Sequence, residues 1–427
     1  MKLGQIIKLE RQRKNMRQDQ LASGICSTSY LSKIENGTAI PGEDIEQLLL
    51  QRLNIQLDNI HKQISLPTLD RFKQQFRQII NMRDKQAAQS LCQEIRSVLL
   101  ENKHDPHIMS LLLMETRLML MTSPMNVEKN LELLVSFRSE LLPVQQFHLY
   151  IIEGIVAFNE NQYSKARYLF TKAEDITQQY KMKEWEVAEL HYVLSLAAVL
   201  EHQHSIAIPY LEKALAYFNR KILVIRSIDC LIILGNAQKH TKHANKALES
   251  FESAKEIMLA NKVSNRLGMI EHNIGTCHSL LQNHDQALHH FEESLSIKKQ
   301  SASQIFTVFA LVKEHKKIGN IEQAKKFVQK GIALLDSLAD PDKTIFSHHF
   351  AVYKALLHDE QDIVITFDSA INYFKSIQSY SRCFVYCNVL AARLTEKNQF
   401  KLATTYYQQS FSYHLNHHQI QNWEELV

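Results

Sequence analysis

Two apolar patterns divide this chain, and they meet near residue 66. From Pro67 onward, seven segments carry a small residue (once an isoleucine), an aromatic or aliphatic four residues later, and a small residue three further on. They are Ala166/Phe170/Ala173, Ala207/Leu211/Ala214, Ala247/Phe251/Ala254, Ala287/Phe291/Ser294, Ala324/Val328/Gly331, Ile363/Phe367/Ala370 and Ala403/Tyr407/Ser410. Their first positions lie 41, 40, 40, 37, 39 and 40 residues apart. This spacing puts each triplet on one helix face. Each follows a longer apolar helix, sometimes with a glycine twelve residues before the triplet (Gly154, Gly235, Gly275). The pattern predicts the second helix of a repeated helical hairpin, with small residues where two helices approach closely. Two weaker units, around Ala88 and Asn130, fit between Pro67 and Gln145. About nine hairpins are expected, stacked into a right-handed solenoid.

Upstream of Pro67 the elements are shorter. Residues 2–15 predict a helix with Leu3, Ile6, Ile7 and Leu9 apolar and basic residues on the other side. Gln18-Asp19-Gln20-Leu21-Ala22 starts a second, and Gly24-Ile25-Cys26 supplies a tight turn in which Gly24 can take a positive φ. Ser27 is a good N-cap for a third helix, Thr28 to Asn36, and Gly37 sits where a C-cap glycine belongs. Leu31 and Ile34 can pack on Leu21 and Ile25, while Thr28, Ser29, Tyr30 and Lys33 point away from that seam. Two short helices joined in this way form a helix-turn-helix. Helices over Glu43–Leu53 and Leu57–Ile64 complete the unit. Pro67 can open a helix but not sit within one, so the boundary falls there: 1–66 and 67–427.

Resemblance adds to this. Leu3-Gly4, Ile6-Ile7, Arg11, Gln18, Leu21-Ala22, Tyr30-Leu31-Ser32, Ile34-Glu35, Asn36-Gly37 and Pro41 resemble the repressor-type (Xre/Cro) DNA-binding domain, a match that continues through Ile55. The turn before Tyr30 is one residue shorter than usual there, with Cys26 near where a glycine is common. That turn is similar to the one in the NprR/PlcR-like members of the Rap/Rgg/NprR/PlcR/PrgX (RRNPP) superfamily of peptide-pheromone receptors, which also has phage AimR-like members. The downstream repeat resembles the tetratricopeptide hairpin, at a period above its usual ~34 residues, so helices about a turn longer are expected. The fold class is thus all-α: a helix-turn-helix domain and a tetratricopeptide solenoid.

Composition agrees and narrows the chemistry. Ten glycines and seven prolines in 427 residues are few, as an all-helical chain requires. The six scattered cysteines form no Cys-x-x-Cys and read as reduced core residues. No apolar run approaches ~18 residues, so a cytoplasmic protein without membrane contact is expected. Residues 1–37 hold seven basic residues (Lys2, Lys8, Arg11, Arg13, Lys14, Arg17, Lys33) against three acidic ones. That surplus equals the +4 of the whole chain, so the rest is balanced. A localised surplus is the footprint expected of a phosphate-binding face; a solvated charged helix is the plainer alternative.

Candidate site residues follow. For operator DNA, Thr28, Ser29, Tyr30 and Lys33, with Ser27 at the cap, are expected at base edges, and Arg17, Gln18 and Asn36 at phosphates. Counting back from the triplets, groove-facing positions are Tyr192, Asp229, Ile232, Asn236, Lys239, His272, Asn273, Thr276, Lys313, His348 and Asn388. Asparagine is a poor helix-interior residue, yet several sit here, and an amide both donates and accepts. A clamp for an extended peptide centred on Asn236 and Asn273 is one reading, with Lys239 and Lys313 available for a carboxylate; solvated polar residues are the other.

The resemblance implies a short signalling peptide in this groove, largely on asparagines, and a quorum-sensing transcription regulator acting as a homodimer or higher oligomer. Two other roles compete. One is binding and inhibiting or dephosphorylating a response regulator, for which Gln74, Gln75 and Gln78 are available. The other is a phage lysis–lysogeny switch.

The sequence contains no Gly-rich phosphate loop, Gly-x-Ser-x-Gly or His-Glu-x-x-His, so no enzyme activity and no cofactor are expected. The 21 histidines, His202/His204, His289-His290, His348-His349 and His414/His417/His418 among them, read as ordinary exposed residues rather than metal ligands. Cys383 and Cys387 read as core, and Trp185 and Trp423 as packing anchors.

Overall fold

A computed structural model of the chain describes residues 3–55, 64–102, 104–123, 127–358 and 362–418. The expected helix at 57–64 (all but Ile64), Trp423, Lys2 and the side chains of His417 and His418 lie outside the described residues. Among those described there is no β-strand, and no helix is long and apolar enough to cross a membrane.

The N-terminal helices are α1 (Leu3–Arg13), α2 (Gln18–Ala22), α3 (Thr28–Glu35) and α4 (Glu43–Arg52). Helix α1 stops short of the expected residue 15 because Asn15 adopts a left-handed φ of 53° and turns the chain. Ile7, Leu21, Ala22, Leu31, Ile34, Leu49, Leu50 and Leu53 form a closed core, with Ile25 packed against it. The crossing of α1 on α3 needs a glycine: a Cβ on Gly4 would stand 1.9 Å from the Ile34 carbonyl oxygen.

Eighteen further helices follow among the described residues, and they pair as nine hairpins. The first four pairs are α5 (Leu66–Met82) with α6 (Lys85–Glu101), α7 (Ile108–Thr122) with α8 (Glu128–Ser136), α9 (Pro143–Asn159) with α10 (Tyr163–Gln179), and α11 (Glu184–Leu200) with α12 (His204–Arg220). Then come α13 (Val224–His240) with α14 (Ala244–Ala260), α15 (Leu267–Leu280) with α16 (His284–Ile297), and α17 (Ser301–Lys317) with α18 (Ile321–Leu334). The last are α19 (Asp342–His358) with α20 (Ile363–Ser376), and α21 (Tyr380–Glu396) with α22 (Phe400–His418). Ser65 caps α5 by accepting from the Thr68 N–H, and Pro67 lies in its first turn.

The triplets do what their spacing predicts: Ala166, Phe170, Ala173, Ala287, Phe291 and Ser294 are all buried. Two upstream glycines explain themselves. A Cβ on Gly154 would meet the Phe170 ring at 2.3 Å, and one on Gly275 the Phe291 ring at 2.8 Å. One position departs from the pattern. Tyr407 is largely exposed and Tyr406 is buried instead, its hydroxyl donating to Asp368 at 2.7 Å. Among the described residues no later helix packs on α22, so the hairpin turns its ring toward α20.

By contacts the chain divides into two compact units, 1–250 and 251–427, with the border inside α14. The helix-turn-helix falls in the first of these units together with the first repeats. Lys8 donates to Glu140 at 2.5 Å and to the Ser136 carbonyl at 3.0 Å, and Ser136 donates to Gln12 at 2.7 Å. Leu9 inserts into the apolar core of the repeats, not into that of the helix-turn-helix.

Several histidines are not the exposed residues expected. His290 bonds Glu271 at 2.8 Å, His348 stacks on Tyr373 at 4.6 Å, and His349 is buried against the Tyr386 hydroxyl. Burial pushes the His349 pKa down to about 3, so the imidazole beside the Tyr386 hydroxyl is neutral. The unfolded chain protonates near 6.5, so this contribution to the second unit is complete above that pH. It is lost as pH falls from about 6.5 toward 3, at about 1.4 kcal/mol per pH unit. Melting curves from pH 7.5 to 5 should show the loss, and a His349→Leu/Tyr386→Phe pair should flatten it.

Candidate DNA-reading face and inner-helix site

Helix α3 carries the residues expected at base edges. Ser27 accepts from the Tyr30 N–H at 3.1 Å, which starts the helix. Asn36 and Gly37 (φ 70°) end it. Thr28, Ser29, Lys33 and Asn36 are exposed, and so is Arg17. Three predicted contacts have internal duties. Ser27 is occupied as the cap. Gln18 donates to Glu35 at 2.7 Å, so its amide nitrogen is turned inward. Tyr30 packs on the domain core and donates to the Ile40 carbonyl at 3.2 Å.

The charge surplus is likewise partly spent inside. Arg11 forms a two-pronged pair with Glu35 at 2.6 and 2.8 Å, buried at the α1–α3 seam. Lys8 holds Glu140, Arg13 holds Glu10 at 2.7 Å, and Lys14 donates to the Leu53 carbonyl at 2.5 Å. Glu10 is drawn down to about 2: burial raises it, but bonds from His104 and Arg13 outweigh that. Of the described basic residues in this segment, Arg17 and Lys33 are the ones most open to a phosphate. Four of the seven basic residues, Lys8, Arg11, Arg13 and Lys14, are thus engaged within the protein.

In the first unit, Tyr192 and Asp229 are buried, not open. Arg83, in the turn after α5, reaches Asp229 at 3.3 Å and lies over the Tyr192 ring at 4.7 Å. Arg226 covers the same ring at 4.4 Å, bonds Glu189, and donates to the Ile80 carbonyl at 3.4 Å. Arg117 takes the other Glu189 oxygen at 3.0 Å. Burial raises the Glu189 pKa, but Arg226, Arg117 and Arg83 together hold it below the usual carboxylate range. This cluster ties α5, α7, α11 and α13 to one another. The sequence reading missed Arg83, Arg117, Glu189 and Arg226, although Arg226 lies three residues before Asp229 on the same helix face.

Asn236 is half-buried and accepts from Lys239 at 3.2 Å, so these two expected site residues do meet; Ile232 is buried. In the second unit, His272 contacts the Thr307 hydroxyl at 3.1 Å, which also receives Lys298 at 2.8 Å. Burial lowers Lys298 to about 8. Asn273 is buried and Thr276 half-buried, and each donates to its own helix four residues back. Lys313 is exposed above the Phe309 ring at 5.0 Å. Asn388 belongs elsewhere than expected: its amide donates to Ser410 at 2.5 Å and to the Phe384 carbonyl, so it faces the seam of its own hairpin. Among the described residues no group of three or more His, Cys, Asp and Glu is arranged to hold a metal.

Comparison with known proteins is consistent with this geometry. Residues 7–60 match the helix-turn-helix family HTH_3. The chain is 29 % identical over 404 residues to the transcriptional activator NprA of Geobacillus stearothermophilus, covering 92 % of this chain and 98 % of that protein. It is 22 % identical over 288 residues to response regulator aspartate phosphatase H of Bacillus subtilis (strain 168), covering 66 % of this chain and 74 % of that one. The quorum sensor NprR shares the fold. Its apo form from B. thuringiensis superposes with a TM-score of 0.67 at 18 % identity, over 81 % of this chain and 99 % of that one. NprR with its cognate peptide NprX gives 0.53 at 19 % identity, over 81 % and 97 %. Fold and site define a transcription-regulator class of protein, a helix-turn-helix joined to tetratricopeptide-type repeats. Within it, the chain is similar in sequence to the transcriptional activator NprA and shares its fold with the quorum sensor NprR.

Proposed function

We propose that the chain is a quorum-sensing transcription regulator that binds operator DNA through α3 and is switched by a short signalling peptide held on the inner helices of its repeats. The observation that carries the reading is an intact, capped α3 with Thr28, Ser29 and Lys33 exposed, in one chain with repeats that place Asn236 and Asn273 inside apolar helices. NprR is a quorum sensor solved with a peptide, and NprA is a transcriptional activator. One recognition helix reads too few base pairs for specificity, so the working form is a homodimer on a two-fold operator. The protein acts without enzymatic chemistry of its own, in the cytoplasm.

In the first unit the half-buried Asn236 offers its amide to the peptide backbone, with Lys239 beside it for a carboxylate. In the second unit, taken by itself, the buried Asn273 must leave its bond to the Met269 carbonyl to do the same, and the exposed Lys313 offers a charge. A peptide that engages Asp229 or Tyr192 displaces Arg83 from them. Asn236→Ala and Asn273→Ala are each expected to weaken peptide binding several-fold or more, from ~1–3 kcal/mol for a buried polar partner left unmatched. Calorimetry with peptides encoded beside the gene checks this, and wild-type affinity in both variants removes the groove assignment. Similarity to phosphatase H makes response-regulator binding the competing reading, with Gln74 and Gln78 exposed on α5.

A further inference from the structure

One cavity in the first unit is lined neither by the α3 residues nor by the asparagines. It holds about 310 Å³ between α5, α7, α9 and α11, and its walls include Phe76, Ile80, Met114, Phe147, Ile151 and Trp185. That volume is at the lower end of ligand-sized pockets. Packed interiors rarely leave such space unfilled.

Its polar groups have a sign. Both carboxylates that line it are matched: Glu186 faces His148 at 3.3 Å, and Glu189 is held by Arg117 and Arg226. Lys73, Lys181 and Lys183 also line it; Lys73 is paired with Asp70 at 3.5 Å, the charge of Lys183 helps hold Glu186 low, and Lys181 makes no ion pair among the described residues. Trp185 is the telling residue. It is 7 % exposed, and its indole N–H is buried with no hydrogen-bond acceptor among the described residues. A buried donor left unmatched costs about 1–3 kcal/mol and is uncommon in folded proteins. An apolar wall, one orphan donor and a surplus of ammonium groups describe the complement of one chemistry.

We infer that this cavity binds a small amphipathic monocarboxylate, with its apolar body against Phe76, Phe147 and Ile151 and its carboxylate accepting from the Trp185 N–H and the lysines. A neutral alcohol would satisfy the indole but not the lysines. An alkylammonium would face like charge.

Trp185 is also the reporter, since the chain has two tryptophans. The experiment titrates full-length protein with decanoate, decanol and decyltrimethylammonium below their micelle concentrations, following tryptophan emission and heat of binding. Decanoate should give a saturable emission change and bind at least tenfold more tightly than the cation. Lys181→Gln/Lys183→Gln should erase most of that preference. Trp185→Phe should weaken decanoate in calorimetry while melting like wild type. Equal binding of the three head groups, or no saturable binding of decanoate, overturns the proposal. Decanoate affinity unchanged in Trp185→Phe overturns it as well.

Discussion

Glu189→Ala is expected to cost the first unit about 3–5 kcal/mol, the range for removing one partner from a buried ion cluster. The magnitude follows from what is left behind. Arg226 is 1 % exposed and Arg117 is half-buried, and both direct their guanidinium groups at this one carboxylate. Without it, two cations remain in a low-dielectric interior, and water cannot replace the lost charge. For a unit of this size each kcal/mol moves the midpoint by about 2–4 °C, so a fall on the order of 10 °C should appear in thermal melting. Glu189→Gln keeps one acceptor oxygen for the two arginines and turns an amide NH2 toward the other, so it should lose less than the alanine variant but not restore the cluster. The carboxylate is held below its usual range, so its stabilisation is complete above pH ~4.3 and is lost as pH falls through the folded value. An Ala variant that melts like wild type would mean the cluster is not closed in solution.

Replacing Thr28, Ser29 and Lys33 together by alanine should reduce operator affinity by roughly 100-fold or more. Each specific base contact is worth about 1–3 kcal/mol, and tenfold corresponds to 1.4 kcal/mol. All three side chains are exposed on α3, so helical content and melting should not change. Tyr30 is left out for a structural reason. It packs on the domain core and bonds Ile40, so Tyr30→Ala would lose DNA binding through damage to the fold. Gel-shift titration at fixed salt checks the prediction. Unchanged affinity would remove α3 as the reading helix.

Much of the architecture was legible because it rests on local periodicity. Ala166/Phe170/Ala173 and the triplets like it are set by helix geometry alone, and Ser27 and Gly37 mark the ends of α3 by cap chemistry. The turns were harder to see. The left-handed positions that join helices are filled by Asn161, His202, Lys242, Gln282 and Asn398, with Gly319 the glycine among these. A chain with ten glycines gave little signal there.

The site was least legible where partners lie far apart in sequence. Arg226 and Ile80 are 146 residues apart, as are Arg83 and Asp229, and each looks like a stray charge until the repeats bring them together. Counting charges in residues 1–37 gave the right surplus. It could not show that Arg11 would be buried on Glu35 or Lys8 docked on Glu140.

The central claim is that peptide and operator are coupled through this chain. The most direct measurement is operator binding to the promoter region of the protein's own gene, with light-scattering mass, in the presence and absence of synthetic peptides from the adjacent short open reading frame. The account predicts that one such peptide changes operator affinity or oligomeric mass, and by linkage that operator DNA changes peptide affinity by the same factor. Operator binding indifferent to every such peptide would contradict the switch, and no binding in either state would contradict the regulator itself.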